Sequence, residues 1–72
     1  MQKYSVTIAG RHNTSFSLEE EFYAELKRIA KLKNLSVNEL ITKIDSTRQL
    51  DNLSSSIRIY ILQFIKSEQS KL

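Results

Sequence analysis

Residues 3 to 18 alternate in character, and this alternation restricts the fold more than any other feature of the chain. The even positions, Tyr4, Val6, Ile8, Gly10, His12, Thr14, Phe16 and Leu18, are mostly apolar or aromatic, whereas the odd positions, Lys3, Ser5, Thr7, Ala9, Arg11, Asn13, Ser15 and Ser17, are almost wholly polar or basic. Extended chain points successive side chains to opposite faces, so the pattern predicts a β segment over about residues 4–17 with one buried and one wet face. Gly10 is the only glycine in the chain. The backbone can bend there, and the pattern fits either one interrupted strand or a loose hairpin.

The period then changes. Ser17-Leu18-Glu19-Glu20 matches a capping box, in which a serine hydroxyl accepts from the amide three residues on and a glutamate reaches back. Leu18, Phe22, Leu26, Ile29 and Ala30 follow on one helical stripe, predicting a helix over about residues 18–33. Along it Glu19, Glu20, Glu21 and Glu25 precede Lys27, Arg28, Lys31 and Lys33, the order that a helix macrodipole favours, so the charges read as a solvated face rather than a carboxylate metal site. Asn34 suits a left-handed terminating residue. A second capping box, Ser36-Val37-Asn38-Glu39, with Leu35 and Leu40 placed for a hydrophobic staple, opens a second helix over about 37–48 that carries Val37, Leu40, Ile41 and Ile44. Residues 46–52 are polar and read as a loop. Asn52-Leu53-Ser54 then repeats Asn34-Leu35-Ser36 ahead of a third helix, about 55–67, whose Ile57, Ile59, Tyr60, Ile61, Leu62, Phe64 and Ile65 cover nearly all sides. The same residues also suit a strand.

A chain of 72 residues has room for one domain, 1–72, and little apolar surface to bury; without cysteines for disulfides, self-association is the expected source of stability. An all-round apolar third helix points the same way. No apolar run is long enough for a signal peptide or a membrane span, so a soluble, cytoplasmic protein with no membrane partner is expected. One histidine, no cysteine and one glycine leave no metal-ligand set and no phosphate-cradling loop, and a Ser-His-Asp arrangement composed from His12, Asp45 and a serine is favoured by no local spacing. Neither catalysis nor a cofactor nor a metal is expected. Lysine and arginine outnumber aspartate and glutamate by 11 to 8, and residues 1–18 contain Lys3, Arg11 and His12 but no acid, which is compatible with a polyanionic partner.

A polar and basic strand, a capped amphipathic helix, a turn and a second capped helix suggest a ribbon-helix-helix architecture. The stretch from Asn13 to Ile44, with Asn-Thr-Ser-Phe-Ser-Leu-Glu, Leu-Lys-Arg-Ile-Ala and Asn-Leu-Ser-Val-Asn-Glu-Leu-Ile, resembles the MetJ/Arc/CopG superfamily. Val6-Thr-Ile-Ala-Gly followed by Thr-Ser-Phe-Ser-Leu-Glu looks like a subfamily of short bacterial ribbon-helix-helix-domain proteins. Two departures stand out: twelve residues precede Asn13, and a third helix follows the two usual ones. That third helix itself resembles the superfamily's second. The segment 37–48 is taken as the second helix because its expected turn follows the first helix directly.

The resemblance implies a mainly α, intertwined homodimer with an extra C-terminal helix, in which one strand from each chain pairs into an antiparallel ribbon that enters the major groove of double-stranded DNA. Phe16, Leu18, Ile41, Ile57, Ile61 and Phe64 would form the dimer core. Arg11, Asn13, Ser15 and Ser17 would face the bases, since Arg can pair with guanine, Asn with adenine and Ser with several edges. Phosphate contacts would come from the start of the second helix around Leu35, Ser36 and Val37, with charge from Lys33. The expected function is sequence-specific DNA binding by a transcriptional regulator. The alternative is a protein-interaction or oligomerisation module of the same fold, its partner held by the third helix.

Overall fold

The computed structural model describes residues 1–8, 10, 12–47 and 51–69. Two strands, β1 (Gln2–Ile8) and β2 (His12–Leu18), precede three helices, α1 (Glu20–Leu32), α2 (Val37–Thr47) and α3 (Leu53–Gln69). The strands pair with each other, antiparallel, in a register running from Gln2 opposite Leu18 to Ile8 opposite His12. Between them Gly10 has a φ of +69° with nothing near a built Cβ, so backbone conformation rather than space calls for glycine there. Of the two arrangements open to the sequence, the hairpin is the one formed. Both strands belong to one chain, so the two-stranded ribbon closes without the partner strand that the resemblance implies.

The alternation lands as expected at the apolar even positions, while His12 and Thr14 near the turn are exposed. Val6, Ile8, Phe16 and Leu18 are buried under the helices, and Tyr4 stacks on Phe16, with centroids 5.5 Å apart, and on Tyr23 of α1, at 3.8 Å. Tyr4 and Tyr23 therefore fasten the hairpin to α1, and partial burial, with the neighbouring Tyr23 as a lesser cause, raises the pKa of the Tyr4 phenol.

The first capping box does not form. Strand pairing continues through Lys3–Ser17 to Gln2–Leu18, which keeps Ser17 extended, and the N-cap of α1 is Glu19 with φ −64° and ψ 150° and no side-chain cap. The backbone of Ser17 is bonded to α3 instead, its amide donating to Ser54 Oγ at 2.9 Å. Leu18 is accordingly a fully buried strand residue rather than the first residue of a helix.

At the other end α1 closes as expected. Asn34 has φ +60°, and the Leu35 amide reaches back to the Ala30 carbonyl at 2.9 Å, so the orphan carbonyls of the last turn find donors. The second capping box also forms: Glu39 N–H donates to Ser36 Oγ at 3.1 Å, and Ser36 N–H donates to Glu39 Oε1 at 2.9 Å. Ser46 and Thr47, where the expected second helix and the expected polar loop overlap, belong to α2, while the expected helix end at Arg48 lies outside the described residues. The third segment is a helix and starts two residues early, with Asn52 Oδ1 accepting from the Ser55 amide at 3.1 Å. The repeated Asn-Leu-Ser tripeptide thus does different work at its two sites. At 34–36 the serine caps, and at 52–54 the asparagine does.

The core gathers Leu26, Ile29 and Ala30 of α1, Leu40, Ile41 and Ile44 of α2, and Leu53, Ile57 and Ile61 of α3 beneath the hairpin. Helices α1 and α3 run side by side in the same direction, joined near their starts by Arg58 Nε to Glu19 Oε1 at 3.0 Å and near their ends by Arg28 Nη2 to Glu68 Oε1 at 2.8 Å. These exposed pairs fix the register of the two helices more than they stabilise them. The one buried polar residue of α3, Ser56, hydrogen-bonds the Asn52 carbonyl at 3.1 Å.

Candidate nucleic-acid interface

Because β1 and β2 pair in register, their odd residues form one outward face with Lys3 opposite Ser17, Ser5 opposite Ser15 and Thr7 opposite Asn13. Six side chains share this face, and none is acidic. Lys3, Ser5, Asn13 and Ser15 are exposed, while Thr7 and Ser17 are half-buried. Thr7 Oγ1 donates to Asn13 Oδ1 at 3.0 Å, which orients the amide and leaves its NH2 and a second lone pair of the oxygen for an external ligand. Ser17 is held at the far end. Its amide is bonded to Ser54 and its carbonyl accepts from Arg58 Nη2 at 3.3 Å.

The structure therefore brings Asn13 and Ser15 together on an open face and sets Ser17 at its anchored margin, while Arg11 lies outside the described residues. The β1 contribution of Lys3, Ser5 and Thr7 was not among the sequence candidates. Its signal was present in the odd-position pattern, but only strand pairing sets those residues beside Asn13 and Ser15. Asn38, on the first turn of α2, joins them: together with Ser5, Thr7, Asn13 and Ser15 it lines an open concavity of about 610 Å³.

The start of α2 is less available to a phosphate than its sequence suggests. The Leu35 amide is bonded to Ala30 and the Ser36 amide to the Glu39 carboxylate. Those contacts, first the Ser36 amide and then its hydroxyl, hold the Glu39 carboxyl below its ordinary pKa, so a negative charge already sits at this helix end. The first amide committed to the helix is that of Leu40, bonded to Ser36 O at 3.0 Å. Val37 and Asn38 are the first-turn residues that precede it. Lys33 is exposed, but its Nζ stands 5.5 Å from the Phe64 ring centroid, turned toward α3.

Five of the six residues expected in a dimer core, Phe16, Leu18, Ile41, Ile57 and Ile61, are at most 3% exposed within the single chain. Phe64 is half-buried against Tyr60. A single chain does cover α3 on one side, and what it leaves open is Ile59 and Leu62, 45% and 50% exposed.

Residues 1–65, which hold the hairpin, α1, α2 and most of α3, match the ribbon-helix-helix domain family. The chain belongs to the ribbon-helix-helix domain family. No curated protein and no solved structure matches it. Ribbon-helix-helix domains are generally DNA-binding regulators of transcription, and the match spans both strands, α1, α2 and most of α3, so the third helix belongs to the matched domain. Among the described residues of this ribbon-helix-helix chain, no group of three His, Cys, Asp or Glu side chains is arranged to hold a metal ion. Among the described residues no helix is long and apolar enough to cross a membrane.

Proposed function

We propose that the protein is a sequence-specific, double-stranded-DNA-binding regulator of transcription that acts in the cytoplasm as a homodimer and reads the major groove with the outer face of its hairpin. The observation that carries this is the acid-free face of Lys3, Ser5, Thr7, Asn13, Ser15 and Ser17, displayed on a two-stranded ribbon of a width the major groove accepts. Arg11, which lies outside the described residues, is a second long cationic side chain between the two strands in sequence. Asn13 is the residue best equipped for direct readout, because an amide can donate to and accept from adenine at once. Phosphate contacts come from the first turn of α2, at the amides of Val37 and Asn38 rather than those of Leu35 and Ser36, with Lys33 supplying charge nearby. Homodimerisation places two such faces on one duplex, and the outward Ile59 and Leu62 of α3 supply apolar surface for it.

Selection of bound duplexes from a random-sequence pool tests this. Wild type enriches a defined half-site, and Asn13→Ala relaxes preference at one position of it by roughly 1–3 kcal/mol while the fold is kept. Lys3→Ala and Lys33→Ala weaken binding to all sequences alike and each reduce the salt slope by about one unit. If wild type enriches no site and binds no duplex above bulk competitor, the proposal fails. The function then falls to the protein-interaction module, which the exposed pair on α3 favours.

A further inference from the structure

Away from the ribbon, a second concavity of about 370 Å³ opens between α2, α3 and the turn that joins α1 to α2. Its floor is apolar: the half-buried Leu35 and Tyr60 supply its accessible surface, over Leu40 and Ile44, which are 1% and 4% exposed. Its lip is cationic. Lys33 enters from the end of α1, steadied over the Phe64 ring, and Lys43 enters from the middle of α2. The acid one turn before Lys43, Glu39, is bonded to Ser36 at the helix start and still feels the Lys43 charge, but the cleft's lining itself holds two ammonium groups and no carboxylate. Thr47, whose hydroxyl hydrogen-bonds the Lys43 carbonyl at 3.2 Å, closes the end of the cleft.

We propose that this cleft is a binding site for a small amphipathic carboxylate, whose short apolar body lies on Leu35 and Tyr60 and whose charged head is held between Lys33 and Lys43. The volume falls in the range of small-molecule sites, roughly 300–1,000 Å³, and is too small to seat a helix of a partner protein. An inorganic anion would leave the apolar floor uncovered, and a neutral hydrocarbon would bring no charge to the two lysines. No ribbon residue lines the cleft, and Lys33 is the one side chain it shares with the proposed DNA contacts.

Titration of the full chain with octanoate, octanol and acetate, followed by amide and side-chain NMR shifts, tests the assignment. Octanoate produces saturable shifts confined to residues around Lys33, Lys43, Ile44, Thr47 and Tyr60, while octanol and acetate bind about ten-fold more weakly or not at all. Lys43→Gln, an exposed change whose folding the same spectra verify, weakens octanoate up to about five-fold, the span of one exposed ion pair, and leaves octanol unchanged. Octanol binding as tightly as octanoate, an unaltered octanoate affinity in Lys43→Gln, shifts centred on Ile59 and Leu62 instead, or no saturable shift with any of the three would each overturn it.

Discussion

Ile57→Ala, set against Leu62→Ala on the opposite side of the same helix, tests how α3 is buried. Ile57 is fully buried and Leu62 is 50% exposed. Truncating a buried isoleucine to alanine costs about 2–5 kcal/mol, and the figure rises with the cavity that the surroundings fail to fill. Ile57 sits on a helix that packs against β2, α1 and α2 at once, so the walls cannot relax together and about 3 kcal/mol or more is expected. A chain of this length has a total stability of roughly 4–11 kcal/mol, at about 0.05–0.15 kcal/mol per residue, so the loss is a large share of the whole. In a thermal melt it corresponds to a drop of roughly 12–24 °C. Leu62→Ala, by contrast, stays within about 0.5 kcal/mol in dilute solution, and any further effect appears only in association. Urea and thermal melts at several protein concentrations make the comparison. The reasoning is refuted if Leu62→Ala costs as much as Ile57→Ala and the midpoints of both rise with concentration, because α3 would then be enclosed on all sides by a partner chain.

Ser36→Ala removes a cap that is formed and costs on the order of 1 kcal/mol, whereas Ser17→Ala removes none and is close to neutral; equal losses in denaturant melts would restore the capping role of Ser17. Gly10→Ala forces a side chain into left-handed backbone and costs about 1 kcal/mol, without changing the strand register seen in cross-strand NMR contacts. The carboxyl of Glu39, bonded to the amide and hydroxyl of Ser36, titrates below the ordinary glutamate range by carbon NMR. Since its folded pKa lies below its unfolded one, its stabilising contribution is present above the unfolded value and is lost as the pH falls through the folded value. An unshifted Glu39, or one still shifted in Ser36→Ala by the same amount, would contradict the bond.

Much of the local structure was determined by the sequence alone, because it rests on short-range rules. Alternation at residues 3–18 set the inner and outer faces of the β segment, Asn34 marked the end of α1, and Ser36 with Glu39 marked the start of α2; each of these depends on residues within one turn or one pleat. The candidate site was legible only in part. Asn13 and Ser15 could be assigned to an outward face, but Lys3, Ser5 and Thr7 became their neighbours only through the pairing of β1 with β2, and Asn38 only through the packing of α2 against the hairpin. The tertiary structure also decided against the sequence at Ser17, where the strand ladder and the Ser54 hydroxyl, 37 residues away, outcompeted a local cap. It decided α3 as well. Periodicity shows which residues are apolar, not which of them the rest of the chain can reach, and one small chain has side chains enough to cover Ile57 and Ile61 but not Ile59 and Leu62.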